Sequence, residues 1–129
     1  PQSEHALGGM RMQGRDAEAA DKLEDDAKAL EEAGCFAVVI ECVPWELGER
    51  VTRALTAPTV GIGAGAGCSG QVLVLSDLLG LNPGKPPKFV KQYARVGSTI
   101  KRAIRSYASE VREGAYPDAE HAYRAPKSN

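Results

Sequence analysis

The chain has 129 residues, of which 43% are hydrophobic and 26% are charged, a composition typical of one folded domain in water. Its 16 lysines and arginines against 17 acidic residues give a formal net charge of -1, which argues against binding to nucleic acid or to an anionic membrane surface. No apolar run is long enough to span a bilayer, and 3 cysteines with 2 histidines predict neither a disulfide framework nor a zinc site.

The first part of the chain alternates between helical and strand-like segments. Apolar residues three and four positions apart predict a helix over residues 16–33, which Gly34 ends. Residues 35–43 are nearly all apolar, which predicts a strand buried on both faces. Helical spacing then returns over residues 44–55.

A second strand and a glycine-rich loop follow. Residues 59–62 predict a short strand that opens into the loop sequence GIGAGAGCSG, and residues 71–75 predict a third strand. The order strand, helix, strand, loop, strand is typical of βαβ units with right-handed crossovers. We therefore predict an α/β fold.

The last third of the chain has a different character. The sequence NPGKPP, at residues 82–87, indicates a linker, and apolar spacing beyond it predicts one long amphipathic helix over residues 88–112, bent at Gly97. A polar tail begins at Gly114. These features divide the chain into a region of βα units at 1–84, a helical region at 85–113 and a tail at 114–129.

The sequence VVIECVP places Glu41 at the end of a predicted buried strand, where an unpaired carboxylate is costly. Strand side chains alternate between two faces, with Ala37, Val39 and Glu41 on one face and Phe36, Val38 and Ile40 on the other. In a closed barrel the bulkier face would contact the helices. Glu41 would then point inward at the strand end where barrel enzymes carry their chemistry. The alternative is a glutamate that caps the following helix or pairs with a surface arginine.

The loop sequence GIGAG allows a second interpretation. A glycine-rich turn after a strand can cradle phosphate, but the dinucleotide fingerprint requires a helix directly behind the turn, and here another strand is predicted. A tight turn, or a close approach of the backbone to a ligand, is therefore favoured. Two nearby cysteines, Cys35 and Cys42, are predicted to be small, buried, apolar residues.

Several short blocks carry a family resemblance. The blocks PQS, LGG, QGR, EAGCFAVVIECVP, PTVGIGAG, CSGQVLV, DLLG and PKFVKQYA stand in this order along the chain. In their order and spacing they resemble ketopantoate hydroxymethyltransferase, a family that folds as a (β/α)8 TIM barrel. In that family the block PQS directly follows the fifth barrel strand, and 129 residues are too few for a whole barrel. The resemblance therefore implies the C-terminal half, strands six to eight, followed by long C-terminal helices.

The resemblance also implies an activity. The family transfers a hydroxymethyl group from 5,10-methylenetetrahydrofolate to 3-methyl-2-oxobutanoate, giving ketopantoate for pantothenate and coenzyme A biosynthesis. Glu41 matches the family's proton acceptor, while Ile62 and Val74 match positions that line the oxo-acid pocket, although both also suit packing inside a barrel. The family's Mg²⁺ ligands lie upstream of the segment that this chain matches, so we expect no metal ligand here and no activity from these residues alone. The indole of Trp45 is expected either to stack on the folate pterin or to pack in the following helix.

Partners and compartment follow from the same resemblance. Members of the family form homo-oligomers, which are decamers. The partners expected here are the oxo acid, the folate and an N-terminal barrel half. No nucleic acid and no membrane are expected as partners. The expected compartment is the cytoplasm, or the mitochondrion if the source is eukaryotic. Two alternatives stay open: a non-catalytic assembly fragment, in which helix 88–112 docks on neighbouring subunits, and a phosphate-binding half-barrel.

Overall fold

The computed structural model describes residues 12–14 and 16–125 of the chain. The sequence blocks PQS and LGG and the last residue of QGR lie outside the described residues. The elements are α1 (Ala17–Glu32), β1 (Val38–Glu41), α2 (Trp45–Ala54), β2 (Thr59–Ile62), β3 (Gly70–Gln71), α3 (Leu75–Leu78) and α4 (Val96–Glu113). Among the described residues, no helix is both long and apolar enough to cross a membrane.

The two helices predicted in the first part of the chain are confirmed. α1 begins where the Asp16 carboxylate accepts a hydrogen bond from the Ala19 N–H at 2.8 Å, which satisfies one of the free donors at the helix start. The chain leaves α1 through Gly34, whose φ of 92° suits glycine. α2 begins directly after Pro44, because the fixed φ of proline is compatible with a helix start.

The three strands form one parallel sheet in the order β1-β2-β3. The register between the first two strands runs from Val38 opposite Thr59 to Glu41 opposite Ile62. β2 and β3 pair over fewer residues. The predicted α/β class with parallel strands is therefore confirmed, while the assignment to barrel strands six to eight stays a prediction.

The two faces of β1 lie in different environments. Val38 and Ile40 are buried, 6% and 4% exposed, whereas Val39 is 64% exposed and Glu41 is also exposed. The buried face packs into a core of Ala27, Val38, Ile40, Val43, Leu47, Val51 and Ala64. The predicted alternation is therefore confirmed from Val38 to Glu41. Phe36, predicted to share the buried face, lies outside β1 and is 91% exposed, so that part of the prediction is wrong. The prediction of burial on both faces is wrong for the described residues, because the second face is exposed.

A buried hydroxyl fixes β3 beside β2. Thr59 is fully buried, and its Oγ1 lies 2.7 Å from the Thr52 hydroxyl on α2. The Thr59 N–H donates to Ser69 Oγ and the Ser69 N–H donates to Thr59 Oγ1, both at 3.2 Å. This reciprocal pair satisfies polar groups that would otherwise be costly to bury, so it holds the start of β3 in register.

A charged cluster joins α1 to α2. Arg50 donates to Glu24 at 2.6 Å and to Asp21 at 2.5 Å, and Lys28 donates to Glu24 at 2.5 Å. The hydrogen bond from Lys28, with that from Arg50, holds the pKa of Glu24 below its ordinary value of 4.5. The same contacts raise the pKa values of both cations, so the three groups favour their charged forms together.

Three predicted elements have different bounds in the structure. The first strand, predicted over residues 35–43, is only Val38–Glu41. The third strand, predicted over residues 71–75, is only Gly70–Gln71, because residues from Leu75 onward turn into α3, where the Leu79 N–H donates to the Leu75 carbonyl. The last helix was predicted over residues 88–112 but begins at Val96. Its predicted bend at Gly97 therefore falls in the first turn of the helix.

The late start of α4 has a main-chain cause. The Tyr93 N–H donates to the Leu78 carbonyl at 2.9 Å, and the Val96 N–H donates to the Leu79 carbonyl at 3.0 Å. These donors satisfy carbonyls at the end of α3 instead of continuing a helix backward from Val96. A helix over residues 88–95 would have to break both hydrogen bonds.

The chain divides into two compact units. The first comprises the described residues up to Val74 together with Pro87–Val90, and it contains the sheet, α1 and α2. The second comprises Leu75–Pro86 and the described residues from Lys91 onward. Within the second unit, the rings of Tyr107 and Tyr116 meet edge to face at 5.5 Å. The division at 84/85 and 113/114 expected from the sequence stays a prediction.

Candidate active site

Glu41 and Ile62 lie side by side at the carboxyl end of the sheet. They are the last residues of β1 and β2 and are opposite each other in the parallel register. Residues opposite each other project from the same face, so a carboxylate stands next to a branched aliphatic side chain. The sequence analysis predicted that Glu41 stands at this strand end, and the family resemblance implied a pocket-lining position for Ile62.

The carboxylate of Glu41 is free within the described part of the chain. It is exposed and makes no hydrogen bond or ion pair to any described residue. The start of α2 carries no side-chain cap, so Glu41 does not cap the following helix. Neither alternative use of Glu41, as a helix cap or as a partner of an arginine, is found among the described residues.

Cys42 follows Glu41 in a conformation that the sequence did not indicate. Its φ is 54°, in the left-handed region that non-glycine residues seldom adopt. Its side chain is partly exposed, and Cys35 is exposed, so the prediction that both are buried is wrong. A cysteine is not a residue type that signals positive φ, so no sequence pattern could have identified this position.

The glycine loop packs against two aromatic rings of its own chain, those of Phe89 and Trp45. A Cβ built on Gly63, whose φ is 65°, would lie 2.7 Å from the Phe89 ring, and one built on Gly65, whose φ is 78°, would lie 2.5 Å from Trp45. Each position therefore requires glycine for two reasons. Its φ is positive, and the neighbouring ring approaches too closely for a side chain. The loop leads into β3 and not into a helix, so its geometry is not that of the dinucleotide fingerprint.

Trp45 presents its ring beside this loop. It is the first residue of α2, and 58% of it is exposed although the ring packs against Gly65. The indole therefore contacts the loop through part of its ring and keeps substantial surface open to solvent. An exposed flat apolar surface of this kind suits a planar ring-bearing ligand.

Val74 lies apart from the strands. It follows β3 by three residues, is 51% exposed and directly precedes α3. Strand alternation cannot assign its face, because residues 72–74 are not in a strand. The structure therefore brings Glu41 and Ile62 together and places Val74 in the same unit, outside the paired part of the sheet.

The described residues do not fit a metal ion. No three His, Cys, Asp or Glu side chains of residues 12–14 and 16–125 come together in a way that would hold one. The free carboxylate of Glu41 offers a single ligand, whereas Mg²⁺ requires near-octahedral oxygen coordination. The magnesium implied by the sequence resemblance is therefore given no binding site by this part of the chain.

Comparison with known proteins gives one family. Residues 1–119 match the family model described as ketopantoate hydroxymethyltransferase. The chain is 51% identical over 128 residues to the 3-methyl-2-oxobutanoate hydroxymethyltransferase of Clostridium novyi, an alignment that covers 99% of this chain and 46% of the relative. It is 56% identical over 123 residues to the protein of the same name from Nitratidesulfovibrio vulgaris, with 95% and 40% covered. The chain thus spans a little under half the length of these curated relatives.

Proposed function

The chain belongs to the ketopantoate hydroxymethyltransferase family, and we propose that it contributes the Glu41-bearing half of an enzyme active site. The reaction is transfer of a hydroxymethyl group to 3-methyl-2-oxobutanoate, the activity named in its relatives. Because the chain spans under half of those relatives, the activity belongs to the whole protein that contains this segment.

The observation that carries the proposal is the position of Glu41. Its unpartnered carboxylate projects from the end of β1 beside Ile62, on the face of the sheet opposite the hydrophobic core. In a closed barrel this face is the interior, and the carboxyl ends of the strands form the catalytic side. A base at this point can reach a small substrate bound at the mouth of the barrel.

The chemistry requires a group that accepts a proton. A C–H bond next to a ketone is weakly acidic, and C3 of 3-methyl-2-oxobutanoate carries such a bond. In the proposed step, Glu41 accepts the C3 proton, and the electron pair left on the substrate forms the new carbon–carbon bond to the one-carbon unit. Water supplies the hydroxyl oxygen, and the folate donor leaves as tetrahydrofolate. Glu41 is proposed for the C–H step, for protonation of the alkoxide oxygen that becomes the new hydroxyl group, or for both.

The substrate's branched end needs an apolar surface. Ile62 provides one directly beside the proposed base, at the distance of neighbouring strands, about 5 Å between backbones. We place the two methyl groups of the oxo acid against Ile62, with Val74 as a second wall. This arrangement directs C3, which bears those methyl groups, toward the carboxylate of Glu41.

The donor and the metal enter the proposal differently. 5,10-Methylenetetrahydrofolate is proposed as the one-carbon donor, with the exposed face of Trp45 as a stacking surface for its pterin. Mg²⁺ is proposed to bind through residues outside the described part of the chain, where its charge would stabilise an enolate. No step of the chemistry above is assigned to it.

An assembly role is favoured by one observation on α4. Four apolar residues on one side of this helix are 45–61% exposed: Ile100, Ile104, Tyr107 and Val111. Exposed apolar surface in this regular spacing is typical of a helix that packs on a partner. We propose that the whole protein is a homo-oligomer, and that its compartment is the cytoplasm, or the mitochondrion in a eukaryote.

Replacement of Glu41 by glutamine in the whole protein tests the catalytic proposal. The amide has nearly the same shape but cannot accept the proton, so kcat should fall roughly 100-fold or more while folding is unchanged. Exchange of the C3 hydrogen with solvent, followed by NMR, should fall in parallel. Glu46→Gln makes the same chemical change on exposed α2 surface and should leave both rates unchanged. Wild-type turnover and exchange in Glu41→Gln would overturn the assignment.

A further inference from the structure

Glu41 and Val43 are two residues apart yet lie in opposite environments. An extended strand would place both on the same face, because side chains alternate with a period of two. The structure instead leaves Glu41 exposed, while Val43 is 4% exposed and belongs to the core. The side-chain alternation of β1 is therefore reversed between these two residues, at Cys42.

The backbone of Cys42 produces this reversal. Its φ of 54° is left-handed, and Cys42 is the one residue other than glycine with positive φ in the described part of the chain. β1 ends at Glu41, and α2 begins only four residues later at Trp45. An extended residue at position 42 would direct Val43 to the open face beside Glu41, or else would turn Glu41 into the core.

Two main-chain hydrogen bonds hold this conformation. The Cys42 N–H donates to the Ile62 carbonyl at 2.8 Å, which extends the ladder between β1 and β2 by one residue. The Cys42 carbonyl accepts from the Gln13 N–H at 3.0 Å. With both polar groups of residue 42 engaged, its peptide planes are fixed, and so is the direction of the Cα–Cβ bond of Glu41.

We propose that Cys42 is a positioning residue for Glu41, acting through its left-handed backbone and not through its thiol. The inference rests on the proposed function, because in it Cys42 sets the direction of the Glu41 carboxylate that takes part in proton transfer. A small unbranched side chain tolerates the left-handed region better than a β-branched one, and it leaves the turn less mobile than glycine would. Strained conformations of this kind are concentrated at functional sites, where the surrounding structure maintains them.

Three substitutions in the whole protein separate the backbone from the thiol. Cys42→Ser removes the thiol and keeps the size, and Cys42→Asn places at this position a residue that readily adopts positive φ. Both should retain kcat within about threefold of the wild type. Cys42→Val, β-branched and unsuited to this conformation, should lower kcat about 10-fold or more, because small displacements of a catalytic group are costly. KM should change much less than kcat, and exchange of the C3 hydrogen should fall with kcat.

The outcomes distinguish the positioning role of Cys42 from the proposed catalytic role of Glu41. If Glu41→Gln keeps its activity, the proposed function fails and this inference fails with it. If Glu41→Gln is inactive while Cys42→Val retains wild-type kcat, only the positioning role is overturned. If Cys42→Val does not fold, Cys42→Asn decides: near wild-type turnover supports the role of the backbone. A large loss of kcat in Cys42→Ser or in Cys42→Asn, at an unchanged melting temperature, would overturn the inference, and in Cys42→Ser it would assign the role to the thiol.

Discussion

The site depends on which residue stands opposite Glu41. The register places Ile62 there, so the proposed base and the proposed apolar surface are fixed by the same hydrogen-bond ladder. A shift of one residue would put Gly61 beside Glu41 and turn the β2 side chains to the wrong face. Thr59, which is buried at the other end of β2 and whose hydroxyl lies 2.7 Å from that of Thr52 on α2, resists such a shift.

Shortening Ile62 tests its role in substrate recognition. Ile62→Ala in the whole protein should lower kcat/KM for 3-methyl-2-oxobutanoate. The expected decrease corresponds to a loss of about 1–3 kcal/mol of transition-state binding, the usual effect of removing an apolar group from a pocket. The effect on 2-oxobutanoate, which lacks the branch, should be smaller. Val60→Ala, on the same strand and face but farther from the strand end, is the matched control. An equal loss for both substrates would indicate that Ile62 serves packing and not recognition.

At the scale of elements, charged residues between α1 and α2 contribute to stability in a pH-dependent way. The pKa of Glu24 is lower in the folded chain than in the unfolded chain, so ionisation of this carboxyl favours folding. The contribution is fully present above pH 4.5 and is lost as pH falls through the lower folded pKa. Arg50 and Lys28 stay charged throughout this range, because their pKa values are raised.

Arg50→Gln should therefore lower the free energy of unfolding at neutral pH. The difference in this free energy between the variant and the wild type should become smaller in acid. Chemical unfolding of both proteins at pH 7 and near pH 3 measures this change. Arg53→Gln is the control, because its ion pair with Glu49 lies within α2 and joins no second helix. A destabilisation by Arg50→Gln that is the same at both pH values would show that the ion pairs with Glu24 and Asp21 are not its cause.

The apolar side of α4 gives the second prediction at this scale. Ile104→Glu places a charge in the middle of the exposed stripe and should shift the whole protein toward smaller assemblies, because a buried unpaired charge is costly. Ser106→Glu adds the same charge to an exposed position about 200° around the helix from Ile104 and should leave the assembly unchanged. Sedimentation velocity compares the two variants. Identical sedimentation of Ile104→Glu and wild type would remove α4 from the interface.

At the scale of the whole molecule, no strand of the described residues pairs with the outer edge of β1. The strand lies at the end of the order β1-β2-β3, and a groove of about 180 Å³ beside it is lined by α1 residues, by Val39 and by Glu41. Val72 and Val74 are also about half exposed. Open strand edges and exposed apolar side chains favour association with another chain or segment.

Residues 1–129 expressed alone should therefore self-associate and show no hydroxymethyltransferase turnover. The described residues provide no set of metal ligands, and the proposed substrate face has no opposing wall among them. Co-expression with the preceding half of a curated relative should reduce the association and restore folate-dependent turnover. Sedimentation and the turnover assay measure both effects. A monodisperse, active 129-residue protein would contradict this account.

The sequence by itself determined the elements whose signals are local. Periodicity and capping residues predicted α1 and α2, and alternation along VVIE assigned Val38 and Ile40 to the core and Glu41 to the opposite face. Such patterns are reliable because each depends on a repeat within a few neighbouring residues. The blocks that carry the family resemblance supplied the candidate roles of Glu41, Ile62 and Val74, which stay predictions.

Only the tertiary structure decided the features that depend on distant partners. The left-handed backbone of Cys42 is held by hydrogen bonds to Gln13 and Ile62, and the start of α4 is delayed by donors that reach back to α3. The third strand ends early because its continuation turns into α3. For Cys42 and for α4 the local propensity was overruled by hydrogen bonds to residues far along the chain, and no short window of the sequence contains both partners.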